Sequence, residues 1–280
     1  MIIQNALIKG SNILKKNRIN SFLLDSEILM SKAIKKNREF ILLNPKKNLK
    51  KKILDFYKSL INKRKKGKPI AYLVGKKNFW KYEFEITEDV LIPRPDTELI
   101  VEQVLNFTKN KKRLSILDIG VGSGCILLSI LKEKKNFYGI GIDKSQKCLK
   151  VCNINASKLN VVNRVKFFNS DIDNFDRGKY DIIISNPPYI NKLDLKYLDK
   201  DVLNFEPRLA LDGGLEGLSE IRKTIKKSSE LIKKNGKLVL EIAFNQKEKV
   251  KRLLEIEGFY INKVLKDIAK NDRCIISTKI

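Results

Sequence analysis

Leu114-Ser115-Ile116-Leu117-Asp118-Ile119-Gly120-Val121-Gly122-Ser123-Gly124 declares the architecture of this 280-residue chain. An apolar run of strand length ends on an acid, meets a glycine at every second position, and gives way to an apolar helical stretch from Cys125. Such glycines let the backbone approach a ligand closely, and the helix that follows adds partial positive charge at its N-terminus. Working outward, strand and helix alternate. Strands are expected at Leu114–Asp118, Phe137–Asp143, Val165–Asn169, Tyr180–Ser185 and Lys237–Ile242. Helices fit Cys125–Lys134, Lys144–Leu159, Leu218–Lys234 and Gln246–Glu257. Two closing strands, Tyr260–Lys266 and Cys274–Lys279, have only a turn between them. The alternation predicts an α/β fold: a doubly wound, mostly parallel, seven-stranded sheet with a C-terminal antiparallel hairpin.

Upstream of this region the periodicity is helical. Ile2, Ile3, Leu7 and Ile8 recur at helical spacing, as do Leu24, Ile28 and Ile34, with Ser21 as the expected N-cap of the second helix. Ile53, Leu54, Tyr57, Leu60 and Ile61 share one face of a helix that ends before the breaker Gly67-Lys68-Pro69. Around Asn78–Ile86 the period changes to alternation, with Trp80, Tyr82, Phe84 and Ile86 on one side. The expected organisation is a small all-helical domain over 1–75, a β-hairpin linker over 76–90, and the α/β domain over 91–280.

Composition removes whole reaction classes. The chain has no histidine, so a Ser-His-Asp triad, a Cys-His dyad, a His-ligated zinc and an imidazole base are all excluded. Cys125, Cys148, Cys152 and Cys274 form no CxxC pair and read as reduced thiols of a cytoplasmic protein. Cys148 and Cys152 at i,i+4 would supply half a metal site, but no second pair completes it, so no metal is expected. No apolar run approaches membrane-spanning length, and no signal peptide is visible. The net charge of +26 comes mostly from lysine. It concentrates at the N-terminus, where residues 1–70 hold 19 Lys and Arg against 4 Asp and Glu. A basic first quarter fits an acidic or RNA-bearing partner, or only a solvated helical face.

The second chemical signature is Asn186-Pro187-Pro188-Tyr189, directly after the apolar strand Tyr180–Ser185. The Asn186 side-chain carbonyl and the Pro187 main-chain carbonyl can each accept one hydrogen of a planar NH2 group. The prolines fix φ near roughly −65° and keep the preceding residue extended, so both acceptors are held stiffly. Tyr189 offers a flat face for stacking. At the glycine turn, a dinucleotide fingerprint needs Gly-x-Gly-x-x-Gly, but here the third glycine comes one residue early and Cys125 stands in its place. The spacing suits a mononucleoside cofactor without a pyrophosphate, S-adenosylmethionine, better than it suits NAD. Asp118 is placed for the cofactor's ammonium, Asp143 for the ribose diol and Asp171 for the adenine amino group. Holding an amino group against an activated methyl is catalysis by alignment and fixed dipoles, with no side-chain base.

The tetrapeptide alone fits adenine, guanine, cytosine and glutamine amino groups alike. Further segments narrow the choice: Gly67–Leu73, Phe79-Trp80, Ile92-Pro93-Arg94-Pro95-Asp96-Thr97-Glu98, Phe205–Leu211 and Asp272-Arg273. With the glycine turn and Asn186–Tyr189, these resemble the bacterial peptide chain release factor glutamine methyltransferases over nearly the whole chain. The resemblance implies methylation of the glutamine in the Gly-Gly-Gln tip of class 1 release factors, with the helical domain docking the substrate protein. It implies cofactor contacts from Gly120, Val121, Gly122, Ser123, Gly124, Asp143 and Asn186, with Arg94, Pro95, Thr97 and Glu98 lining the pocket. Substrate would meet Asn186, Pro187, Pro188 and Tyr189, in a monomer that needs no direct nucleic-acid binding.

Read from the residues alone, Thr97 or Asp96 caps a helix, and Glu206 with Arg208 forms a surface ion pair or shapes the mouth of the site. Three positions depart from the family pattern. Ala243 and Lys270 stand where glycine is usual, and Ile172 stands where an aromatic often flanks adenine. The alternatives are a methyltransferase of a DNA or rRNA amino group, and a non-catalytic RNA- or ribosome-binding protein with a vestigial cofactor fold. Against the first, the chain lacks a domain of a kind that reads nucleic-acid sequence. Against the second, the glycine turn, Asp143 and Asn186 are intact.

Overall fold

The computed structural model describes residues 1–280, and the chain divides into two compact units. Met1–Lys76 with Asp199–Phe205 form the first, and Lys77–Leu198 with Glu206–Ile280 the second.

The first unit contains α1 (Ile3–Lys16), α2 (Phe22–Ile34), α3 (Arg38–Leu43), α4 (Lys51–Arg64) and α5 (Ile70–Val74). Its core gathers Ile3, Leu14, Leu29, Met30, Ile41, Tyr57, Leu60 and Ile61. Ser21 precedes α2, but its side chain makes no capping hydrogen bond, because its own φ/ψ has already left the extended region that aims a cap at the helix. The unit also takes in a short piece of distant sequence that carries no signature of belonging there. Arg64, buried at the end of α4, donates from Nε to Asp25 (2.7 Å) and from Nη1 to Asp201 (2.9 Å). A guanidinium cannot shed its charge when buried and must therefore be paired, so one cation fixes two acids 176 positions apart. Gly67 has φ +94°, and a Cβ there would lie 2.9 Å from the Asp201 carboxylate, so the breaker also makes room for that approach.

The second unit begins within β1 (Lys76–Phe79), which pairs with β2 (Tyr82–Glu85) as a two-stranded sheet. Phe84 and Ile86 are buried as the alternation predicts, but Trp80 sits in the turn at φ +57° and not on the strand face. The main sheet comprises β3 (Ser115–Ile119), β4 (Tyr138–Asp143), β5 (Val165–Asn169), β6 (Tyr180–Ser185), β7 (Ile232–Glu241), β8 (Phe259–Lys266) and β9 (Asp272–Lys279). Their spatial order is β5-β4-β3-β6-β7-β9-β8. The first five run parallel, whereas β9 is antiparallel to both β7 and β8. This is the expected doubly wound sheet with its closing hairpin. The helices α6 (Glu98–Phe107), α7 (Cys125–Glu133), α8 (Gln146–Lys158), α10 (Ser219–Leu231) and α11 (Lys247–Ile256) accompany it, while α9 (Lys200–Phe205) belongs to the first unit.

One boundary differs from expectation. The helix expected to reach Lys234 stops at Leu231, and Ile232 already pairs with Tyr180. Asn235 then adopts φ 62°, and the register shifts before Lys237 pairs with Ile182. Sheet pairing and a left-handed residue therefore override the helical pattern of this lysine-rich stretch.

The topology fixes where a ligand is expected. From β3 the chain winds one way to β4 and β5, then returns to the other side of β3 for β6 and β7. That switch point leaves the C-terminal ends of β3 and β6 adjacent, which is where open α/β sheets bind their ligands.

Candidate active site

The glycine turn closes β3. Gly120, Gly122 and Gly124 have φ of 75°, 55° and 82°, values that L side chains rarely adopt. No atom lies within 4 Å of a Cβ placed on Gly120, so the backbone lies open to a ligand there. The turn is held from behind. Gly120 and Val121 N–H both donate to the Ile142 carbonyl of β4, and Val121 is buried against Gly141. From α8, buried Asn155 donates to the Ser123 carbonyl (2.9 Å) and the Cys152 thiol donates to the Gly122 carbonyl (3.0 Å). Asn155 also exchanges hydrogen bonds with both backbone groups of Glu85 in β2, which ties the turn to the hairpin. From sequence Cys152 is an ordinary helix residue and Asn155 is not singled out, since their partners lie far away along the chain.

Three aspartates were expected near the cofactor, and they have three different environments. Asp118 is fully buried and neither carboxylate oxygen has a hydrogen-bond partner. Burial pushes its pKa up to about 8. Asp143, at the end of β4, accepts from Gly122 N–H (3.0 Å) and Ser145 N–H (2.8 Å). Burial raises its pKa against the pull of those two donors. Asp171 follows β5 and lies 3.1 Å from the Lys144 ammonium. Burial tends to raise its pKa, but the Asp173 N–H and Lys144 outweigh that and bring it below the ordinary value. Ser123 Oγ is buried without a partner, like the Asp118 carboxylate. Ile172, the departure beside Asp171, is a buried member of the main core.

Asn186-Pro187-Pro188-Tyr189 leaves β6 immediately beside this turn. Asn186 Nδ2 donates to Thr97 Oγ1 at 3.2 Å. That bond spends the hydroxyl expected to cap α6, and Thr97 makes no capping bond; Pro95–Thr97 instead winds as a 3-10 turn into the helix. With Nδ2 engaged, the Asn186 Oδ1 remains as an acceptor. The Pro187 carbonyl accepts no backbone hydrogen bond either. The Tyr189 hydroxyl donates to Glu241 Oε1 at 3.2 Å, and burial beside that carboxylate pushes the phenol pKa well up.

Two residues at the end of β7 complete the setting, and neither was singled out from sequence. Glu241 is buried, and desolvation raises its pKa to about 7 while Thr97, Arg273 and Tyr189 oppose the rise. Gln246 is also buried. Its Nε2 donates to the Tyr189 and Gly217 carbonyls (3.0 Å each), and its Oε1 accepts from Ala243 N–H (3.0 Å). Gly217 has φ 68°, and a Cβ there would fall 2.2 Å from the Tyr189 carbonyl, so only glycine fits against the tetrapeptide. Ala243 carries no positive φ, so its departure from glycine leaves the backbone unstrained. Lys270 does adopt φ 66°, in the turn before Arg273, and there the missing glycine costs strain.

The remaining expected residues are engaged elsewhere in the unit. Arg94 pairs with buried Glu206 at 2.6 Å, and Glu206 also accepts from Ile92 N–H. Of the two readings of Glu206 and Arg208, the ion pair does not form: Arg208 lies 3.7 Å from Asp212, while the buried acid takes the cation that can reach it. Glu98 accepts from Trp80 N–H (2.7 Å), bracing the hairpin turn where Trp80 is left-handed. Arg273 donates to Asp267 and to the Ile242 carbonyl, clasping the β8–β9 turn to the end of β7.

Comparison with known proteins gives the family and the fold. Residues 5–75 match the PrmC N-terminal domain, and residues 96–205 match the methyltransferase small domain. A methyltransferase structure from Pyrococcus furiosus shares the fold, with a TM-score of 0.52 and 18% identity over 79% of this chain and 97% of that one. The release factor glutamine methyltransferase of Clostridium acetobutylicum is 37% identical over 100% of this chain and 99% of its own. That of Buchnera aphidicola subsp. Acyrthosiphon pisum is 39% identical over 96% of each. With this identity sustained end to end, and with the glycine turn and the Asn-Pro-Pro-Tyr clamp at adjoining strand ends, the chain belongs to the release factor glutamine methyltransferase family.

Proposed function

We propose that this protein methylates the side-chain amide nitrogen of the glutamine in the Gly-Gly-Gln motif of class 1 peptide chain release factors, in support of translation termination. The methyl donor is S-adenosylmethionine, which when bound supplies an electrophilic methyl carbon on a sulfonium. The residues at the end of β3 suit it. An open, left-handed glycine turn accepts a nucleoside closely, and the unpartnered Asp118 carboxylate and Ser123 hydroxyl need polar groups that a ligand would bring. Gly120–Gly124 line this cofactor side, with Asp143 for the ribose and Asp171 for the adenine. Thr97, Arg94 and Glu98 are assigned to its border on the family resemblance; in the structure Thr97 binds Asn186, Arg94 binds Glu206 and Glu98 accepts from Trp80.

The observation that carries the reading is the orientation of Asn186. Its Nδ2 is bound to Thr97, so Oδ1 faces substrate as a pure acceptor beside the Pro187 carbonyl. Two fixed acceptors draw on both hydrogens of the glutamine amide, enrich its nitrogen and reward the positive charge that develops there. Tyr189, kept neutral, supplies a flat wall. Substrate then meets Asn186, Pro187, Pro188 and Tyr189. No residue needs to act as a base, in keeping with a chain that has no histidine.

The helical unit docks the release factor, and its excess of lysine suits an acidic surface. The enzyme works as a cytoplasmic monomer, and no helix is long and apolar enough to cross a membrane. Radiolabelled S-adenosylmethionine offered in parallel with purified release factor, a Gln→Ala tip variant, DNA and rRNA tests the assignment. Label is expected on the native release factor alone. Label on nucleic acid, or on the tip variant, overturns it.

A further inference from the structure

Of the backbone N–H groups in the turn Gly120–Gly124, all but one are used within the protein. Gly120 and Val121 donate to the Ile142 carbonyl, Gly122 to the Asp143 carboxylate and Gly124 to the Val121 carbonyl. The Ser123 N–H makes no hydrogen bond, although its residue is buried, and the Ser123 hydroxyl is equally without a partner. Two open polar groups on one buried residue cost free energy unless something outside the chain completes them. The carbonyls of the same two peptide groups are treated in the opposite way. Each is claimed by a buried side chain of α8.

The Cys152 thiol donates to the Gly122 carbonyl at 3.0 Å, and Asn155 Nδ2 donates to the Ser123 carbonyl at 2.9 Å. The Gly122 carbonyl and the Ser123 N–H belong to one peptide group, and the chain has no cis peptide bond, so the two point in opposite directions. Drawing that carbonyl toward α8 therefore turns the Ser123 N–H away from α8. Neither donor can reverse. Glu85 N–H donates to Asn155 Oδ1 at 2.7 Å, so the NH2 end of the amide is the one that meets the Ser123 carbonyl. Turned over, the amide would set its NH2 against that N–H. Burial raises the Cys152 pKa well above the ordinary thiol value, so the sulfur keeps the hydrogen it gives.

We infer that Cys152 and Asn155 are positioning residues for the cofactor, holding the Gly122 and Ser123 carbonyls away from it so that the Ser123 N–H is presented to it as a donor. The inference rests on the cofactor reading proposed above. Each residue acts through a carbonyl of the turn and not on the ligand itself. Released from α8, the Gly122–Ser123 peptide could turn over and offer an acceptor where a donor is needed.

Two substitutions at one position separate donation from packing. Cys152→Ser keeps a donor and Cys152→Ala removes it, while both take the sulfur out of a buried site. In calorimetry with S-adenosylhomocysteine, Cys152→Ser is expected to bind within about twofold of the parent and Cys152→Ala about tenfold more weakly. If the thiol only packs, a buried hydroxyl serves no better than a methyl and this order disappears. Asn155→Leu is expected to weaken binding by at least about tenfold; should it fail to fold, the cysteine pair carries the test. A second readout needs no variant: titrating the parent with S-adenosylhomocysteine should move the Ser123 amide proton resonance downfield as it gains an acceptor, and Cys152→Ala should shrink that movement. A Ser123 amide left unmoved, or Cys152→Ser binding as weakly as Cys152→Ala, would overturn the inference. A parent that binds no S-adenosylhomocysteine removes the cofactor reading and this inference together. A parent that binds it but labels no release factor loses only the substrate assignment, and the Ser123 amide still decides the role of α8.

Discussion

At the end of β3 the Asp118 carboxylate and the Ser123 hydroxyl are buried with no partner, whereas at the end of β6 the Asn186 amide and the Tyr189 hydroxyl and carbonyl are all tied to protein groups. The strands are neighbours, so the contrast is not one of location. It reflects what each end must do. A site for a bound nucleoside can leave polar groups unsatisfied, because the ligand satisfies them. A site that aligns a weak nucleophile gains from groups already fixed before substrate arrives, since reorganisation during transfer would cost rate. One side is incomplete by design and the other is braced.

The contrast yields four measurements, beginning with the braced side. Asn186→Ala removes one of two acceptors and should lower kcat on the order of 100-fold while the fold persists. Steady-state kinetics with circular dichroism checks this, and near-normal turnover would show that the clamp is not braced for catalysis. On the incomplete side, Asp118→Asn should weaken cofactor binding in calorimetry yet stabilise the ligand-free protein. Its folded pKa, about 8, lies above the ordinary 3.8. The folded state therefore keeps a proton that the unfolded state has released, and stability falls as pH rises through that window. The gain from the substitution should be absent near pH 4 and reach on the order of 5 kcal/mol at pH 8. Melting curves that show no pH-dependent difference would refute the picture of an unpaired buried acid.

Gln246→Leu strands the Tyr189 and Gly217 carbonyls and the Ala243 N–H, and should cost about 2 kcal/mol in denaturant unfolding together with some kcat. An unchanged midpoint would mean that the brace is dispensable. Smallest is Lys270→Gly, which relieves a left-handed lysine in the turn clasped by Arg273 and should add about 0.5–1 kcal/mol without touching turnover. A loss of stability there would place the value of Lys270 in a contact and not in its backbone.

The same contrast explains what could be read in the chain beforehand. The glycine turn was legible because its requirements are local: positive φ at alternate residues and acids at strand ends, all within a short window. The clamp itself was legible for the same reason, since prolines act on their neighbours. Its supports were not. Thr97, Glu241 and Gln246 lie 89, 52 and 57 positions from the clamp residues they hold, and each has a sufficient local explanation as a cap, a strand residue or a helix start. The ion-pair alternative for Glu206 failed similarly: Arg208, two residues on, looked adequate, while burial selected Arg94 at a separation of 112. Asp199–Phe205 belongs to the helical unit, where Asp201 binds the buried Arg64 from 137 positions away.

The most direct measurement is a crystal structure of the protein with S-adenosylhomocysteine and a Gly-Gly-Gln peptide. The account predicts Asn186 Oδ1 and the Pro187 carbonyl oxygen each within hydrogen-bond distance of the glutamine amide nitrogen, with that nitrogen facing the cofactor sulfur and Thr97 still bound to Asn186 Nδ2. An Asn186 amide turned the other way, or a glutamine nitrogen pointing away from the sulfur, would contradict it.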